Sequence, residues 1–151
     1  MSNVQPADAG NYAVVVTNSA GSITSAVALL TVWVPPAITA QPLSRTNIPG
    51  TSASFSSTAS GTTPLSYQWN FNDAAIAGAT QSSLTLTNVQ IGDGGNYAVV
   101  VTNGAGSVTS AVAVLTVLGP AAITAGPVSR TNVVGTTATF NVSGSGTAPL
   151  S

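Results

Sequence analysis

The chain contains an internal repeat, which is clearest in one stretch that occurs twice. Residues 93–103 read Asp-Gly-Gly-Asn-Tyr-Ala-Val-Val-Val-Thr-Asn, and residues 8–18 differ from them only by an Ala in place of one Gly. Both copies start with a Gly-containing turn and continue into β-branched residues, which is typical of a strand. Tyr12 and Tyr97 are 85 residues apart. A period of that length has the size of a small domain, so the sequence predicts domains in tandem.

The register of the repeat divides the chain into three parts. We expect residues 34–118, here called the central domain, to be one complete copy of the repeat. Residues 1–33 (the first segment) match the C-terminal part of a copy, and residues 119–151 (the last segment) match the N-terminal part. We place the first boundary at Pro35-Pro36, because adjacent prolines end a strand and favour an extended linker. The chain is thus expected to begin and end inside repeat copies.

Short alternating stretches in the central domain indicate strands that are buried on one face. Ala53, Phe55 and Ser57 alternate with small polar residues, and Tyr67 and Trp69 alternate in the same way further along. Such a two-residue period places these side chains on one face of a strand. Frequent Gly- and Pro-containing turns and the absence of a helical period favour an all-β antiparallel sandwich.

Several residues of this pattern resemble an immunoglobulin-like domain of the intermediate or C2 type. Trp69 stands at the position of the tryptophan of strand C in that family. Tyr97 stands at the tyrosine-corner position, within the motif Asp93-x-Gly95-x-Tyr97. The resemblance covers the whole chain and implies an immunoglobulin-like antiparallel β-sandwich. In the lettering of that fold, residues 1–33 would carry the end of strand E with F and G, and residues 119–151 would carry A and B.

The chain departs from the immunoglobulin family at both core cysteines. Their positions are occupied by Ser57 and Val99, and the sequence contains no Cys. The missing disulfide is typically worth about 2–5 kcal/mol in a small secreted domain, and a buried Ser57 hydroxyl needs a backbone partner. The resemblance implies a structural core that includes Ser57, Trp69, Asp93, Gly95, Tyr97 and Val99. Cysteine-free, charge-poor tandem copies look most like the repeat arrays of large bacterial surface and secreted proteins.

The composition argues against several classes of function. The chain has two Lys or Arg residues, three Asp or Glu residues and no His. Nucleic-acid binding requires several cations that neutralise phosphates, so we expect no nucleic-acid partner. Hydroxyl nucleophiles have no His or Lys here to activate them, so we predict no catalytic residue and no enzyme activity. Asp93 is expected to be a turn residue, and we predict no metal, no cofactor and no insertion into a membrane.

One apolar stripe could serve as a contact face. If Tyr97 and Leu115 face the core, Val100, Val112 and Val114 face outward on neighbouring strands. The hairpin loop that contains Asn103 and Gly104 extends this candidate face. Two interpretations stay open: a lateral contact with another domain or chain, or ordinary β-propensity and a bulge that turns Val112 and Val114 inward.

These observations support a structural hypothesis and two alternatives. We expect a non-enzymatic spacer or adhesive module of a larger extracellular or cell-surface repeat protein, whose partners are the neighbouring immunoglobulin-like repeats. A module that binds a glycan or a surface protein, attached to a larger secreted protein or enzyme, is the first alternative. The second alternative is a filament subunit, in which residues 119–151 of one molecule complement residues 1–33 of another.

Overall fold

A computed structural model describes residues 1–148 and residue 150; Pro149 and Ser151, the last residues of the predicted last segment, lie outside the described residues. The first segment contains a 3-10 turn (Pro6–Asp8) and four short strands: β1 (Gly10–Tyr12), β2 (Val15–Asn18), β3 (Gly21–Thr24) and β4 (Ala28–Leu30). β1 pairs with β4 and β2 pairs with β3, both antiparallel. The last segment contributes β15 (Ala122–Ala125) and β16 (Ser143–Ser145), which also pair antiparallel.

Ten strands and a second 3-10 turn (Ile91–Asp93) lie between these segments. The strands are β5 (Ala37–Ala40), β6 (Arg45–Asn47), β7 (Ala53–Ser56), β8 (Thr58–Ser60), β9 (Ser66–Phe71), β10 (Ala74–Ala75), β11 (Ser83–Leu86), β12 (Gly95–Asn103), β13 (Gly106–Thr109) and β14 (Ala113–Val117). One sheet has the order β10-β9-β12-β14-β6, with β13 also paired to β12. All its pairs are antiparallel except β14 with β6. The opposite layer consists of the pairs β5-β8 and β11-β7.

The core fills the space between the two layers with apolar side chains that alternate along the strands. Trp69, Val99 and Val101 are completely buried. Phe55 from the opposite layer stacks on Tyr97, with ring centroids 4.8 Å apart. The indole N–H of Trp69 donates a hydrogen bond to the carbonyl oxygen of Gln81 (2.9 Å), which satisfies the one polar atom of this large side chain. The inward faces predicted from the alternation are therefore the faces that the structure buries.

Ser57 lies at the point where the two pairs of the opposite layer meet. Its backbone N–H donates to the carbonyl oxygen of Ser82 (3.0 Å), which follows the β11-β7 register. Its hydroxyl donates to the carbonyl oxygen of Ala40 in β5 (2.9 Å). The residue that replaces a family cysteine thus has a backbone partner for its buried hydroxyl, and this bond ties β5 to the β7-β8 edge.

Candidate functional site

The turn before β12 is a hydrogen-bonded structural unit. The Asp93 carboxylate accepts a hydrogen bond from the backbone N–H of Gln90 (2.7 Å), and the Asp93 carbonyl accepts one from the hydroxyl of Tyr97 (2.8 Å). Gly95 lies against the Phe71 ring: a Cβ atom at this position would come within 2.6 Å of it. Burial raises the pKa of the Tyr97 hydroxyl, and the nearby Asp93 charge raises it further. Asp93 is therefore engaged with the local backbone.

The predicted valine stripe lies on the outer face of the larger sheet. Val112 and Val114 are 55% and 42% exposed, so the bulge interpretation, in which both turn inward, is wrong. The chain does break from regular pairing at Ser110, whose N–H and hydroxyl bond to the backbone of Val99. Val100 is half-buried and lies opposite Gln68 in β9, so polar side chains interrupt the apolar stripe.

The hairpin loop at the end of β12 contacts the linker that precedes the central domain. The side-chain amide of Asn103 donates hydrogen bonds to the carbonyl oxygens of Val34 (2.7 Å) and Thr62 (2.9 Å). Val34 and Thr62 also bond to each other: the Val34 N–H donates to the Thr62 hydroxyl (2.8 Å), and the Thr62 N–H donates to the Val34 carbonyl (3.1 Å). Four hydrogen bonds among three residues therefore hold the linker on the end of the sandwich.

Two glycines allow the linker to approach this closely. A Cβ atom on Gly104 would come within 2.8 Å of the Trp33 ring. A Cβ atom on Gly61 would come within 3.0 Å of the backbone of Pro35 and Pro36, and Gly61 has a φ of +140°, which disfavours other residues. Pro36 is buried. The polar loops and the prolines thus form one packed junction.

The same hydrogen-bond pair occurs 85 residues later, where the last segment begins. The Gly119 N–H donates to the Thr147 hydroxyl (2.7 Å), and the Thr147 N–H donates to the Gly119 carbonyl (3.0 Å). Ile91, in the turn before β12, lies beside this second linker, since a Cβ atom on Gly119 would be 3.4 Å from its Cδ1 atom. Each linker is therefore bonded to the domain or segment that follows it.

The structure divides the five residues of the predicted contact face. Asn103 and Gly104 belong to the linker junction, whereas Val100, Val112 and Val114 lie on the sheet face. Sequence reasoning had not connected this loop with the linker, because its partners lie 41 and 69 residues away along the chain. The pairing of Thr62 with Thr147 in the repeat register is the one sequence signal that points to both junctions.

Two further searches cover the described part of the chain only. Among residues 1–148 and 150, no group of three His, Cys, Asp or Glu side chains is placed to hold a metal ion. No helix within the same residues is long and apolar enough to cross a membrane.

Comparison with known proteins agrees with this architecture. Residues 35–103 match the immunoglobulin domain family. A structure of three immunoglobulin domains of titin matches 97% of this chain, with a TM-score of 0.77 and 23% identity, and the match spans 54% of the titin chain. Extracellular domains 3–5 of Drosophila OTK match 76% of the chain, with a TM-score of 0.61 and 25% identity, over 42% of that structure. The protein is made of immunoglobulin-like domains in tandem, without cysteine, as the sequence predicts.

A curated relative adds a different context. Endoglucanase C of Cellulomonas fimi is 37% identical over 116 residues, which are 74% of this chain and 10% of the endoglucanase. The chain therefore spans about a tenth of that relative and about half of the titin structure.

Proposed function

We propose that this protein is a non-enzymatic spacer in a larger array of immunoglobulin-like repeats. The observation that carries the proposal is the junction at Asn103, Val34 and Thr62, where the linker is bonded to two loops of the following domain. A linker held in this way loses the freedom that a flexible tether would keep. Successive domains would then be held at a fixed spacing.

The second junction supports a repeating unit rather than a single joint. Gly119 and Thr147 reproduce the bonds of Val34 and Thr62 at the same spacing as the sequence repeat. We therefore propose the boundaries 1–33, 34–118 and 119–151, with neighbouring repeats as the main partners. Asn103 at the first junction adds bonds to the following domain, which favours a stiff connection there.

The proposed setting is a bacterial extracellular or cell-surface protein. It is supported by the similarity to a Cellulomonas endoglucanase, of which the match covers a small part, and by the OTK extracellular domains. Three acidic and two basic side chains give the module almost no charge with which to bind a charged ligand. In this setting the array would present an adhesive or catalytic domain at a distance from a surface.

Distance measurement between spin labels tests the stiffness. The chain has no cysteine, so Ser22→Cys and Ser83→Cys place labels on exposed residues of the first segment and the central domain without background labelling. We expect a single narrow distance distribution. The pair Ser107→Cys and Ser83→Cys, both within the central domain, is the matched reference for a rigid body.

The junction can be loosened without touching the core. Asn103→Ala removes the two amide donors that hold Val34 and Thr62. We expect this variant to broaden the interdomain distribution while the reference distribution stays unchanged. An interdomain distribution that is already broad in the parent chain would contradict the spacer function.

A second candidate function is lateral binding of a glycan or surface protein through the sheet face. It is favoured by the exposure of Val112 and Val114, together with that of Val27 and Leu29 at the equivalent positions of the first segment. The double variant Val112→Thr and Val114→Thr keeps the side-chain shape and removes apolar surface. Binding in a glycan or protein array that is equal for this variant and the parent would exclude this face.

A further inference from the structure

The first junction contains an aromatic contact whose two members differ between the repeats. The Trp33 ring lies over the loop residue Gly104, where a Cβ atom would come within 2.8, 3.0 and 3.1 Å of its Cζ3, Cη2 and Cε3 atoms. Carbon atoms prefer separations of about 3.5–4.0 Å. A side chain at residue 104 would thus force the Trp33 ring away from the loop.

The first segment shows that the loop itself accepts a side chain. Ser19 stands at the position equivalent to Gly104, and the surrounding hairpin keeps the same register, with Asn18 opposite Gly21. The Ala20 N–H donates to the Asn18 side chain (2.8 Å), as the Ala105 N–H does to Asn103 (2.9 Å). Since serine fits this hairpin, Gly104 is required by Trp33 and not by the turn.

The linker residue varies as well. Leu118, at the start of the last segment, stands 85 residues after Trp33 and is therefore its equivalent. Leucine is shorter than tryptophan and can be accommodated beside a loop that carries a Cβ atom. The repeats in this chain thus supply two linker residues, Trp and Leu, and two loop residues, Gly and Ser.

We propose that the linker residue and the loop residue are a matched pair that determines which repeat can dock on which linker. A Trp linker requires a Gly loop, and a Ser loop requires a smaller linker residue such as Leu. The inference rests on the spacer function and adds a rule for the order of repeats within an array. A repeat placed after the wrong linker would lose the aromatic contact and would be held less firmly.

A double-mutant cycle in the full chain tests the pairing. The four proteins are the parent chain, Gly104→Ser, Trp33→Leu and the double variant. One readout is hydrogen exchange of the Asn103 side-chain amide, which is bonded to Val34 and Thr62 at the junction. We expect Gly104→Ser to speed this exchange about tenfold in the parent chain and less than about twofold in the Trp33→Leu background, because directly contacting residues couple.

Fluorescence quenching provides an independent readout. Trp69 is completely buried and Trp33 is 43% exposed, so acrylamide quenching reports on Trp33. We expect Gly104→Ser to increase this quenching. An equal effect of Gly104→Ser on exchange in both backgrounds, or no effect on either readout, would overturn the pairing. The spacer function fails separately, if the spin-label distances in the parent chain are broad.

Discussion

Residues 93–103 and 8–18 have nearly the same sequence and the same local hydrogen bonds but different burial. In both stretches a Tyr hydroxyl donates to an Asp carbonyl four residues earlier, at 2.8 Å for Tyr97 and 2.6 Å for Tyr12. Yet Tyr97 is 2% exposed and Tyr12 is 39% exposed. Val99 is likewise completely buried, whereas Val14, its equivalent, is 58% exposed.

The comparison separates what neighbouring residues determine from what distant strands determine. The turn, the tyrosine corner and the hairpin form wherever this sequence occurs, because their partners lie within a few residues. Burial requires the strands packed around it: β12 runs unbroken from Gly95 to Asn103 between β9 and β14, whereas β1 and β2 are separate short strands. The predictions below change one side of this comparison at a time.

The largest effect is expected when the side chain at the centre of the core is removed. Trp69→Ala leaves a cavity opposite Val99 in the sheet and leaves the Gln81 carbonyl without its donor. We expect the free energy of unfolding of the central domain to fall by about 3–5 kcal/mol. Chemical denaturation followed by circular dichroism measures this loss. The control Trp33→Ala truncates a partly exposed tryptophan and should cost much less; equal losses would contradict the assigned core.

Truncating the equivalent valines tests burial directly. Val99→Ala should lower the free energy of unfolding by about 2 kcal/mol, because it removes two fully buried methyl groups. Val14→Ala should change it by less than about 0.5 kcal/mol, because Val14 is mostly exposed. Denaturation followed by Trp69 fluorescence compares the two variants. Similar losses at both sites would mean that the two stretches are packed alike.

Removing the hydroxyl of the tyrosine corner should have a smaller effect, with a pH signature. Tyr97→Phe loses the hydrogen bond to Asp93 and should cost about 1 kcal/mol at neutral pH. Burial raises the pKa of Tyr97 above its ordinary 10.0, so the folded state favours the neutral phenol. This stabilisation is complete below pH 10.0 and is lost as the pH rises through the folded-state pKa.

Unfolding measured from about pH 8 to 12 should therefore show a loss of stability at the alkaline end that Tyr97→Phe reduces. Tyr12→Phe removes the same local bond at an exposed site and serves as the matched control. An alkaline loss that is unchanged in Tyr97→Phe would show that the Tyr97 hydroxyl does not couple to folding.

The smallest effect is expected on the sheet face. Val114→Thr should change the free energy of unfolding by no more than about 0.5 kcal/mol, since Val114 is 42% exposed and the substitution keeps its shape. Leu29→Thr is the equivalent change in the first segment. Thermal melting compares both with the parent chain, and a destabilisation above about 1 kcal/mol would show that this face is packed against something within the chain.

The sequence predicted the parts of the fold that depend on periodic patterns. The inward alternation around Phe55 and Trp69, the sandwich and the hairpin loop at 103–106 follow from residues close together in the chain. The need of Ser57 for a backbone partner was also predictable, but Ala40 as that partner was not, because a β5 crossing fixes it.

The junction could not be predicted in the same way. The candidate loop looked like a free binding loop, and its role emerged only from the bonds of Asn103 to Val34 and Thr62. Trp33 was likewise missed, since its contact with Gly104 depends on the angle at which the linker meets the sandwich. Patterns along one strand do not report such contacts between distant loops.

Amide hydrogen exchange at the linker tests the docked junction most directly, because it needs no substitution. The Val34 N–H donates to the Thr62 hydroxyl, and the Thr62 N–H donates to the Val34 carbonyl. If the linker is held on the following domain, both amides should exchange at least about a hundredfold more slowly than in an unstructured peptide. Exchange of both amides at the rate of an unstructured peptide would contradict a docked linker and, with it, the proposed spacer.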